Sequence, residues 1–535
     1  MFGLIVVFVI TGVITYWYWY RRNRFLLRER VGLQGPPATF LAGNLDMLRL
    51  PDEERLRFFE KMRTKYGDTY GIYIGPKLTV IIHDLDMVKD VLVKHFNNFV
   101  DRMHFVLNKE KSVRNHNLVS MRGDEWRFVR QTVTPVFSSG KLKQITKIIS
   151  EKDDIFMEKI DKYADSGEIF DIYSTFQALT LDVIGRAAFA FDTNCQRDPN
   201  DQFLLKCTEF FNKTDLRKSK ITMLAVMFSE IPIWGHLRFA ADFAGAETWL
   251  VENLQSIVLR RRKDFESFKG FDILQLLLQQ ERESAAMKKE EAKGETCPFA
   301  STMNDVDVPL SSKYVFDETM VVSNAFVFLL AGYETTSTAL GFTAWCLAAH
   351  PDVQQRLQQE IDEKFNEYGT DEMKYDMMKD MPYLDAVFHE SLRMFPPVPG
   401  FVVRSCVKEC VLNGVHFVPG MEAVIPVFAI HRDPALWNEP DTFNPDRFIN
   451  KDSSGASNPM AWLPFGGGPR NCVGLRFAEL EYKMSLTRLM SKYTLRPTPE
   501  IKDHLPLSNP GVLMRPKNGV PVTVIRRENA LIYGK

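Results

Sequence analysis

Residues 465–474, with the sequence FGGGPRNCVG, constrain this chain more than any other stretch. They set one cysteine, Cys472, in a glycine-rich loop directly before an apolar segment, residues 475–489, that is predicted to form a helix. Glycines let backbone N–H groups approach the sulfur, and the start of a helix favours the thiolate form of the cysteine. The loop is therefore suited to present a thiolate to a metal ion.

A lone cysteine in such a turn is more often an ordinary buried thiol. Here, however, Phe465, Gly468, Arg470, Cys472 and Gly474 all match the pattern F-x-x-G-x-R-x-C-x-G. The stretch resembles the haem-binding loop of the cytochrome P-450 family of haem-thiolate monooxygenases. The resemblance implies that Cys472 ligates the iron of haem b, iron protoporphyrin IX, and that Phe465 and Arg470 contact this cofactor. A thiolate ligand makes haem iron electron-rich and favours O–O cleavage.

A second motif lies in residues 316–351, an apolar segment predicted to be a long helix broken at AGYETT, residues 331–336. Glycine and two threonines are locally unfavourable in a helix, and a distortion at such a point is often functional. A packing notch made by small residues is the alternative. The resemblance implies that this motif passes over the distal face of the haem. Gly332 would leave room for dioxygen, and Glu334 with Thr335 would form the catalytic acid–alcohol pair that orders water and delivers protons.

Three further residues are candidates for binding the haem propionates. Trp126 and Arg130 are four residues apart, so on a helix they share a face and can point at one partner. A snorkelling arginine beside a packed tryptophan is the alternative for this pair. The resemblance implies that both contact a propionate. Arg404 resembles a second propionate-binding arginine, at the end of a segment, residues 397–404, that should line the pocket edge.

A supporting network is predicted around Glu390 and Arg393, which form an E-x-x-R pair on one helical face. On a surface such a pair would be worth about 0–1 kcal/mol. The resemblance implies instead a buried structural network whose third member is Arg447. His431 is interpreted as structural, because an axial-ligand role would compete with Cys472.

The N-terminus is predicted to be an uncleaved membrane anchor, residues 1–20. Residues 3–20 carry no charge, end in an aromatic run, and would span about 27 Å as a helix. Arg21, Arg22 and Arg24 follow, a positive-inside signal that puts the body of the protein in the cytoplasm. A cleaved secretory signal would have basic residues before the apolar run and small residues after it.

Residues 21–44 are predicted to be a basic, proline-containing hinge, and residues 45–535 the catalytic domain. Length alone would suggest several domains, but the resemblance implies one mainly α-helical domain with a small β-rich lobe. The seven cysteines lack a C-x-x-C pair, which argues for reduced thiols and against zinc. The net charge of −1 gives no argument for nucleic acid as a partner.

Other segments carry weaker signals. Residues 221–236, rich in Met and aromatic residues, are predicted to be core or a substrate-channel region that dips into the membrane. Residues 283–313 are predicted to be a flexible surface loop. The remaining predictions are a helix over 52–66, a hairpin of 69–74 with 78–82, a helix from Asp84 to about Lys94, a hairpin turning at Asn413-Gly414, and a strand over 519–526.

The resemblance covers nearly the whole chain and is strongest to the animal microsomal branch that includes drug- and steroid-oxidising enzymes and thromboxane synthase. It implies a monooxygenase, anchored in the endoplasmic reticulum membrane, that inserts one oxygen atom from O2 into a lipophilic organic substrate. Electrons would come from NADPH through a reductase partner, or from a cytochrome b-type donor, because the chain has no nucleotide-binding motif.

Two other functions remain. One is a haem-thiolate isomerase or dehydratase that rearranges a peroxide without O2 or a reductase. Relatives of that kind tend to lose the distal threonine, and Thr335 is present here. The other is a non-catalytic haem-binding or sensor protein, which would not need the acid–alcohol pair.

Overall fold

The computed structural model is mainly α-helical, with small β-sheets. It describes residues 2–102, 116–213, 217, 220–231, 245–268, 272–292, 314–369, 372–450, 454–509 and 512–528. The predicted fold class, a mainly helical domain with a small β-rich part after an N-terminal apolar helix, is confirmed.

The α-helices of the described residues are α1 Phe2–Phe25, α2 Leu27–Arg30, α3 Asp52–Leu56, α4 Phe58–Tyr66, α5 Leu85–Lys89, α6 Gly123–Val133, α7 Ser139–Ser166, α8 Ile172–Phe189, α9 Gln202–Lys213, α10 Lys220–Met227, α11 Ala246–Lys263, α12 Ile273–Ala292, α13 Glu318–Ala349, α14 Pro351–Tyr368, α15 Pro382–Met394, α16 Val427–Ile430, α17 Asp446–Asn450, α18 Ser454–Ser457 and α19 Leu475–Lys492. Short 3-10 turns cover Leu45–Arg49, Phe96–Asn98, Thr134–Phe137, Met377–Lys379, Gly468–Arg470 and Pro499–Ile501, and a π-helical turn covers Asp90–Lys94.

The strands are β1 Thr69–Ile74, β2 Lys77–Ile82, β3 Phe170–Asp171, β4 Val403–Ser405, β5 Cys410–Leu412, β6 Val415–Phe417, β7 Glu422–Val424, β8 Tyr493–Pro497, β9 Leu507–Ser508, β10 Arg515–Pro516 and β11 Pro521–Arg526. The largest sheet has the order β1-β2-β7-β4, in which β7 runs parallel to β2 and the other pairs are antiparallel. A three-stranded sheet has the order β3-β11-β8, and β5-β6 and β9-β10 are two-stranded.

Several local predictions are confirmed. The predicted hairpin of 69–74 with 78–82 forms, and its second strand begins one residue earlier, with Lys77 opposite Ile74. Asp84 caps the next helix by accepting a hydrogen bond of 2.7 Å from the Met87 N–H. The second hairpin turns at Asn413 and Gly414 with positive φ angles of 46° and 78°. Such a pair of φ values is what an Asn-Gly hairpin turn requires.

Asp317 caps the start of the central helix α13, and its carboxylate accepts from the Met320 N–H at 2.9 Å. The predicted break at residues 331–336 is wrong, because helical structure continues unbroken from Glu318 to Ala349. The Thr335 hydroxyl donates to the Ala331 carbonyl at 2.7 Å, so its polar group is satisfied within the helix. Local propensity is outweighed here by packing along the length of the helix.

The predicted loop over 283–313 is wrong in its first part, where α12 continues to Ala292. Residues 284–290, SAAMKKE, include several strong helix formers. They extend a helix whose first half buries Ile273, Leu274, Leu277 and Leu278. Residues 293–313 lie outside the described residues. In the predicted channel segment 221–236, α10 ends at Met227, and residues 232–236 also lie outside the described part.

The helix α1 runs through the predicted anchor and five residues beyond it. Among the described residues one helix, Leu4–Arg30, is long and apolar enough to cross a membrane. Its apolar 18-residue window has a mean hydropathy of 1.4, and 6% of that window is buried. The predicted hinge that follows packs on the first sheet, where Val31 and Leu33 join its apolar core. The domain boundaries at residues 20 and 44 stay predictions.

Candidate active site

The cysteine loop is held in one conformation by close packing. Gly468 has a φ of +68°, and a Cβ atom there would lie 1.9 Å from the carbonyl oxygen of Leu92. No other residue type fits that position without moving the backbone. The Cys472 N–H donates to the Phe465 carbonyl at 2.9 Å, which closes the loop just before α19 begins.

The thiol of Cys472 faces an internal opening. Its side chain is accessible to solvent, yet enough protein surrounds it that burial raises the pKa of the thiol. Both observations hold for a side chain on the wall of an internal cavity. The Gly474 N–H donates to the sulfur and, with the nearby cations Arg130 and Arg102, favours the thiolate.

The opposite wall is one face of α13. Val327, Ala331, Gly332 and Thr335 are accessible within a helix whose neighbouring residues are buried. Their spacing of four, five and eight residues puts them on one side of an α-helix. A solvent-accessible face in the middle of a buried helix lines a cavity.

Phe137 connects these two walls. Its ring meets the ring of Phe328 on α13 edge to face, with centroids 6.1 Å apart. On its other side it lies 3.8 Å from the place where a Cβ atom of Gly474 would be. Phe137 therefore contacts α13, through the buried ring of Phe328, and also lies next to the start of α19.

Glu334 and Thr335 point to different sides of α13. The buried carboxylate of Glu334 accepts from the Tyr173 hydroxyl at 2.7 Å and from the Gln177 amide at 2.9 Å, both on α8. Arg515 approaches it to 3.8 Å. Burial raises the pKa of Glu334, although these three partners act in the opposite direction. The structure thus brings Thr335, and not the carboxylate of Glu334, to the accessible face.

Gly332 is a point of helix packing. A Cβ atom at this position would lie 2.8 Å from Cγ1 and 2.9 Å from Cδ1 of Ile184 on α8. The structure supports a packing notch made by a small residue, the alternative that the sequence left open. Room for dioxygen at Gly332 stays a prediction.

Arginine side chains gather around the cysteine loop. Arg102 donates to the Arg470 carbonyl at 3.0 Å, and Arg470 donates to the Met121 carbonyl at 2.6 Å. Arg404 donates to the Gly467 carbonyl at 3.3 Å. The carboxylate of Asp101 is 3.9 Å from Arg470, too far for a hydrogen bond.

The positive charge of this cluster is poorly compensated. Within the described residues, the buried Nε atoms of Arg102, Arg404 and Arg470, and one terminal nitrogen of Arg470, have no hydrogen-bond partner. Burial and mutual repulsion lower the pKa of Arg102 to about 10 and of Arg470 to about 9, and they lower the pKa of Arg404 strongly. Buried donors of this kind are stabilised by an anion. The two propionates of haem fit this requirement, and the thiol of Cys472 beside them fits its iron.

Trp126 and Arg130 point at one partner, as their spacing predicts, and that partner is the cysteine loop. The guanidinium of Arg470 lies 4.3 Å from the centre of the Trp126 ring. Arg130 donates to the Asn471 carbonyl at 2.9 Å and to its side-chain oxygen at 2.8 Å. Contact of Trp126 and Arg130 with a propionate stays a prediction.

Phe465 anchors the start of the loop in the protein core. Its ring stacks on Phe388 of α15 with centroids 6.1 Å apart and an interplanar angle of 27°. Trp462 lies at the same centroid distance. This packing fixes the loop relative to α15, and a contact of Phe465 with the cofactor stays a prediction.

The predicted network of Glu390, Arg393 and Arg447 is confirmed. Arg393 donates two hydrogen bonds, of 2.7 and 2.9 Å, to the Glu390 carboxylate, and Arg447 donates one of 3.1 Å. Glu390 and Arg393 are fully buried. A buried carboxylate needs this degree of pairing, because its desolvation is costly.

His431 connects this network to the cysteine loop. Its Nδ1 donates to the Arg393 carbonyl at 3.0 Å, and its Nε2 accepts from the Leu463 N–H at 2.9 Å. Burial and the neighbouring arginines lower the pKa of His431 to about 3, so the ring is neutral. The structural role predicted for His431 is confirmed.

Sequence analysis missed two groups of residues. Arg102 belongs to the arginine cluster, and Tyr173 with Gln177 binds Glu334, but none of the three stands in a recognisable motif. The contact of Arg102 with the cysteine loop joins residues 368 positions apart. A stretch-by-stretch inspection of one sequence has no signal for such a contact.

The chain is similar to proteins of one family along nearly its whole length. The family model described as Cytochrome P450 matches residues 33–522. Thromboxane-A synthase of Sus scrofa is 32% identical over 524 residues, which cover 95% of each chain. Cytochrome P450 3A41 of Mus musculus is 31% identical over 508 residues, covering 94% of this chain and 93% of that protein. Cytochrome P450 3A11 of the same organism is 30% identical and covers 99% of this chain and 97% of that protein.

Proposed function

Because the chain belongs to the cytochrome P450 family, whose cofactor is haem, we propose that it is a membrane-anchored haem-thiolate monooxygenase. It inserts one oxygen atom from O2 into a lipophilic organic substrate. The observation that carries this proposal is the position of Thr335, whose hydroxyl lies on the accessible face of α13. Haem bound through Cys472 supplies the chemistry of dioxygen activation.

The residues around the opening would hold this cofactor. Cys472 provides the thiolate, and Arg102, Arg404 and Arg470 provide unpaired buried donors for the propionates. Arg130 and Trp126 brace the loop that carries Arg470 and Cys472. A rigid supporting shell of this kind keeps ligands in place and tunes the group they bind.

Thr335 would hold a proton or a water molecule at Oγ1 on the substrate side of the opening. Its hydroxyl now donates to the Ala331 carbonyl, so it accepts a further hydrogen bond through its lone pairs. Glu334 is on another face, bound to Tyr173 and Gln177, which supports a role in positioning α13 against α8. The acid–alcohol pairing of Glu334 with Thr335 stays a prediction.

The family and the absence of a nucleotide-binding motif in the sequence support a separate electron donor and a membrane as partners. The sequence contains neither a G-x-G-x-x-G nor a P-loop motif, which supports an NADPH-dependent reductase, or a cytochrome b-type protein, as the source of electrons. The apolar helix α1 and the microsomal relatives support anchoring in the endoplasmic reticulum membrane. Arg21, Arg22 and Arg24 at the C-terminal end of that helix support a cytoplasmic catalytic body.

Two measurements test this proposal. The absorption spectrum of the reduced protein with carbon monoxide should show the red-shifted Soret band of thiolate ligation, and Cys472→Ala should abolish it. Cys410→Ala, at another free cysteine, is the control and should leave the band unchanged. A band without the red shift in the parent protein would refute thiolate ligation.

The second measurement follows the use of NADPH by the protein with its reductase. Thr335→Ala should divert electrons from product to hydrogen peroxide, because the hydroxyl that holds a proton is gone. Thr335→Ser keeps that hydroxyl and should preserve coupling of NADPH use to product formation. Equal coupling in both variants would contradict the proposed role of Thr335.

An isomerase or dehydratase acting on a peroxide is the second candidate. Two observations favour it: the similarity to thromboxane-A synthase, and the orientation of Glu334 away from the accessible face. Such an enzyme would convert a lipid peroxide without NADPH, O2 or a reductase. It would also be nearly indifferent to Thr335→Ala, which separates it from a monooxygenase in one experiment.

A further inference from the structure

The end of the apolar helix α1 is fastened to the catalytic body by a buried arginine. Arg21 is fully buried, forms an ion pair with Glu230, and donates to the carbonyls of Phe40 at 2.7 Å and Met227 at 2.8 Å. The Trp17 ring N–H donates to the same Glu230 carboxylate at 3.0 Å. A buried charge with this many partners fixes the contact between the two elements.

This contact fixes the distance between α10 and the membrane surface. Trp17 belongs to the aromatic end of α1, and aromatic residues at the end of a membrane helix lie at the interface with water. Met227 and Glu230, which bind Arg21, lie at and just beyond the end of α10. The eight residues of α10 extend over about 12 Å, so the whole helix lies close to the membrane surface.

A groove of about 640 Å³ opens beside α10. Its apolar lining consists of Leu48, Leu50, Met223 and Leu224. Positions 220, 223 and 224 all line the groove, which is the spacing of one helical face. The floor of the groove therefore suits a hydrocarbon chain.

The rim of the same groove is basic, with Arg49, Arg217 and Lys220. Arg217 pairs with Asp52 at 2.8 Å. Arg49 and Lys220 are exposed, and within the described part of the chain no ion pair neutralises them. Among the described residues that line the groove there is no carboxylate. The groove thus combines an apolar floor with uncompensated positive charge.

We propose that this groove binds an anionic phospholipid of the membrane that α1 crosses, with the phosphate at Arg49 and Lys220 and an acyl chain on the apolar floor. A neutral headgroup would leave the two cations without a net counter-charge, and a free phosphate ion would leave the apolar floor exposed to water. The proximity of α10 to the membrane surface supplies the lipid. The proposal rests on the membrane anchoring proposed above and is independent of the reaction.

The test uses the full-length protein in nanodiscs of phosphatidylcholine with a minor fraction of phosphatidylserine. Benzoylphenylalanine in place of Leu48 puts a photoreactive group in the groove, and mass spectrometry identifies the lipid that it captures. We expect capture of phosphatidylserine above its share of the bilayer. Arg49→Gln with Lys220→Gln should reduce this preference about fivefold for each charge removed.

The matched control is Arg22→Gln with Arg24→Gln, which removes the same charge from the exposed end of α1. It should leave capture at position 48 unchanged. Loss of the preference in this control alone would overturn the proposal, because general attraction to the basic end of α1 would then explain the result. Capture of phosphatidylcholine in proportion to its share, or of protein in place of lipid, would overturn it too. Co-sedimentation with membranes tests the anchoring separately, so a failure of anchoring is distinguished from a failure of the groove.

Discussion

Arg470 offers the sharpest test of the site, because its replacement should have opposite effects with and without haem. In the folded chain burial and the charges of Arg102 and Arg130 lower its pKa from 12.5 to about 9. That fall corresponds to about 5 kcal/mol of unfavourable free energy in the folded state at pH 7. Arg470→Gln removes this unfavourable free energy. It also loses the hydrogen bond to Met121 and the contact with Trp126, which together stabilise the parent by about 3 kcal/mol.

The haem-free variant should therefore be about 2 kcal/mol more stable than the parent. For a chain of 535 residues this is a rise of about 2 °C in the midpoint of thermal unfolding.

When haem is bound, Arg470→Gln should weaken the complex instead of stabilising the protein. A propionate bound to Arg470 gains a charge-assisted hydrogen bond worth about 1.5–3 kcal/mol, and glutamine does not replace it. Transfer of haem from the variant to an excess of an acceptor haem protein should then be about 10- to 100-fold faster than from the parent.

Arg447→Gln is the control, because Arg447 is also buried but is paired with Glu390. It should lower the stability of the haem-free chain, by about 3 kcal/mol, since it leaves a buried carboxylate with one partner fewer. Arg470→Gln could instead destabilise the haem-free protein as Arg447→Gln does and leave haem transfer unchanged. Arg470 would then be a structural residue that does not bind a propionate.

Two further predictions concern glycines. Gly468→Ala should lower the fraction of protein that retains haem and lower the free energy of unfolding by at least about 1–2 kcal/mol, because position 468 has a positive φ and lies against the Leu92 carbonyl. Gly474→Ala should be tolerated, because the nearest atom to a Cβ there is 3.8 Å away. Haem content and thermal unfolding measure both, and equal behaviour of the two variants would contradict the packing argument. Gly332→Ala should cost about 1–3 kcal/mol by overpacking against Ile184, and Ile184→Ala in the same chain should restore part of the loss. No rescue in this double variant would mean that Ile184 is not the obstacle.

The parts of the site that the sequence predicted are those in which a short stretch carries its own geometric requirement. The hairpin at Asn413-Gly414 needs two positive φ angles, and the sequence offers two residues that adopt them. Glu390 and Arg393 are three apart on a helix, so their pairing follows from helical geometry. Gly468 has a φ of +68°, a backbone conformation that glycine adopts without strain.

The parts that it could not predict depend on contacts between distant segments. Nothing in the sequence around Tyr173 shows that its hydroxyl binds Glu334, 161 residues away. The predicted break in α13 was wrong for the same reason. Glycine and threonine are poor helix formers alone, but Ile184 packs into the space at Gly332 and the Thr335 hydroxyl bonds back to its own helix. Tertiary packing then decides the local structure.

Glu334→Gln separates the two roles that remain for this acid. The motif in the sequence predicts that Glu334 acts with Thr335 in proton delivery. Its contacts with Tyr173 and Gln177 indicate instead that it holds α13 against α8. Glutamine has nearly the same shape and keeps an oxygen for the Tyr173 hydroxyl. If Glu334 acts by position, coupling of NADPH use to product should stay at the level of the parent.

The stability of the same variant has a defined dependence on pH. Burial raises the pKa of Glu334 above its ordinary value of 4.5, so the unfolded chain ionises first and the folded state loses stability as the pH rises above 4.5. Glutamine does not ionise, so Glu334→Gln should gain stability relative to the parent over that range. A gain in stability with unchanged coupling assigns Glu334 to the packing of α13. A gain in stability with a loss of coupling and a larger solvent isotope effect would mean that the carboxyl group transfers protons despite its orientation, and the cost of burying it would then serve the reaction.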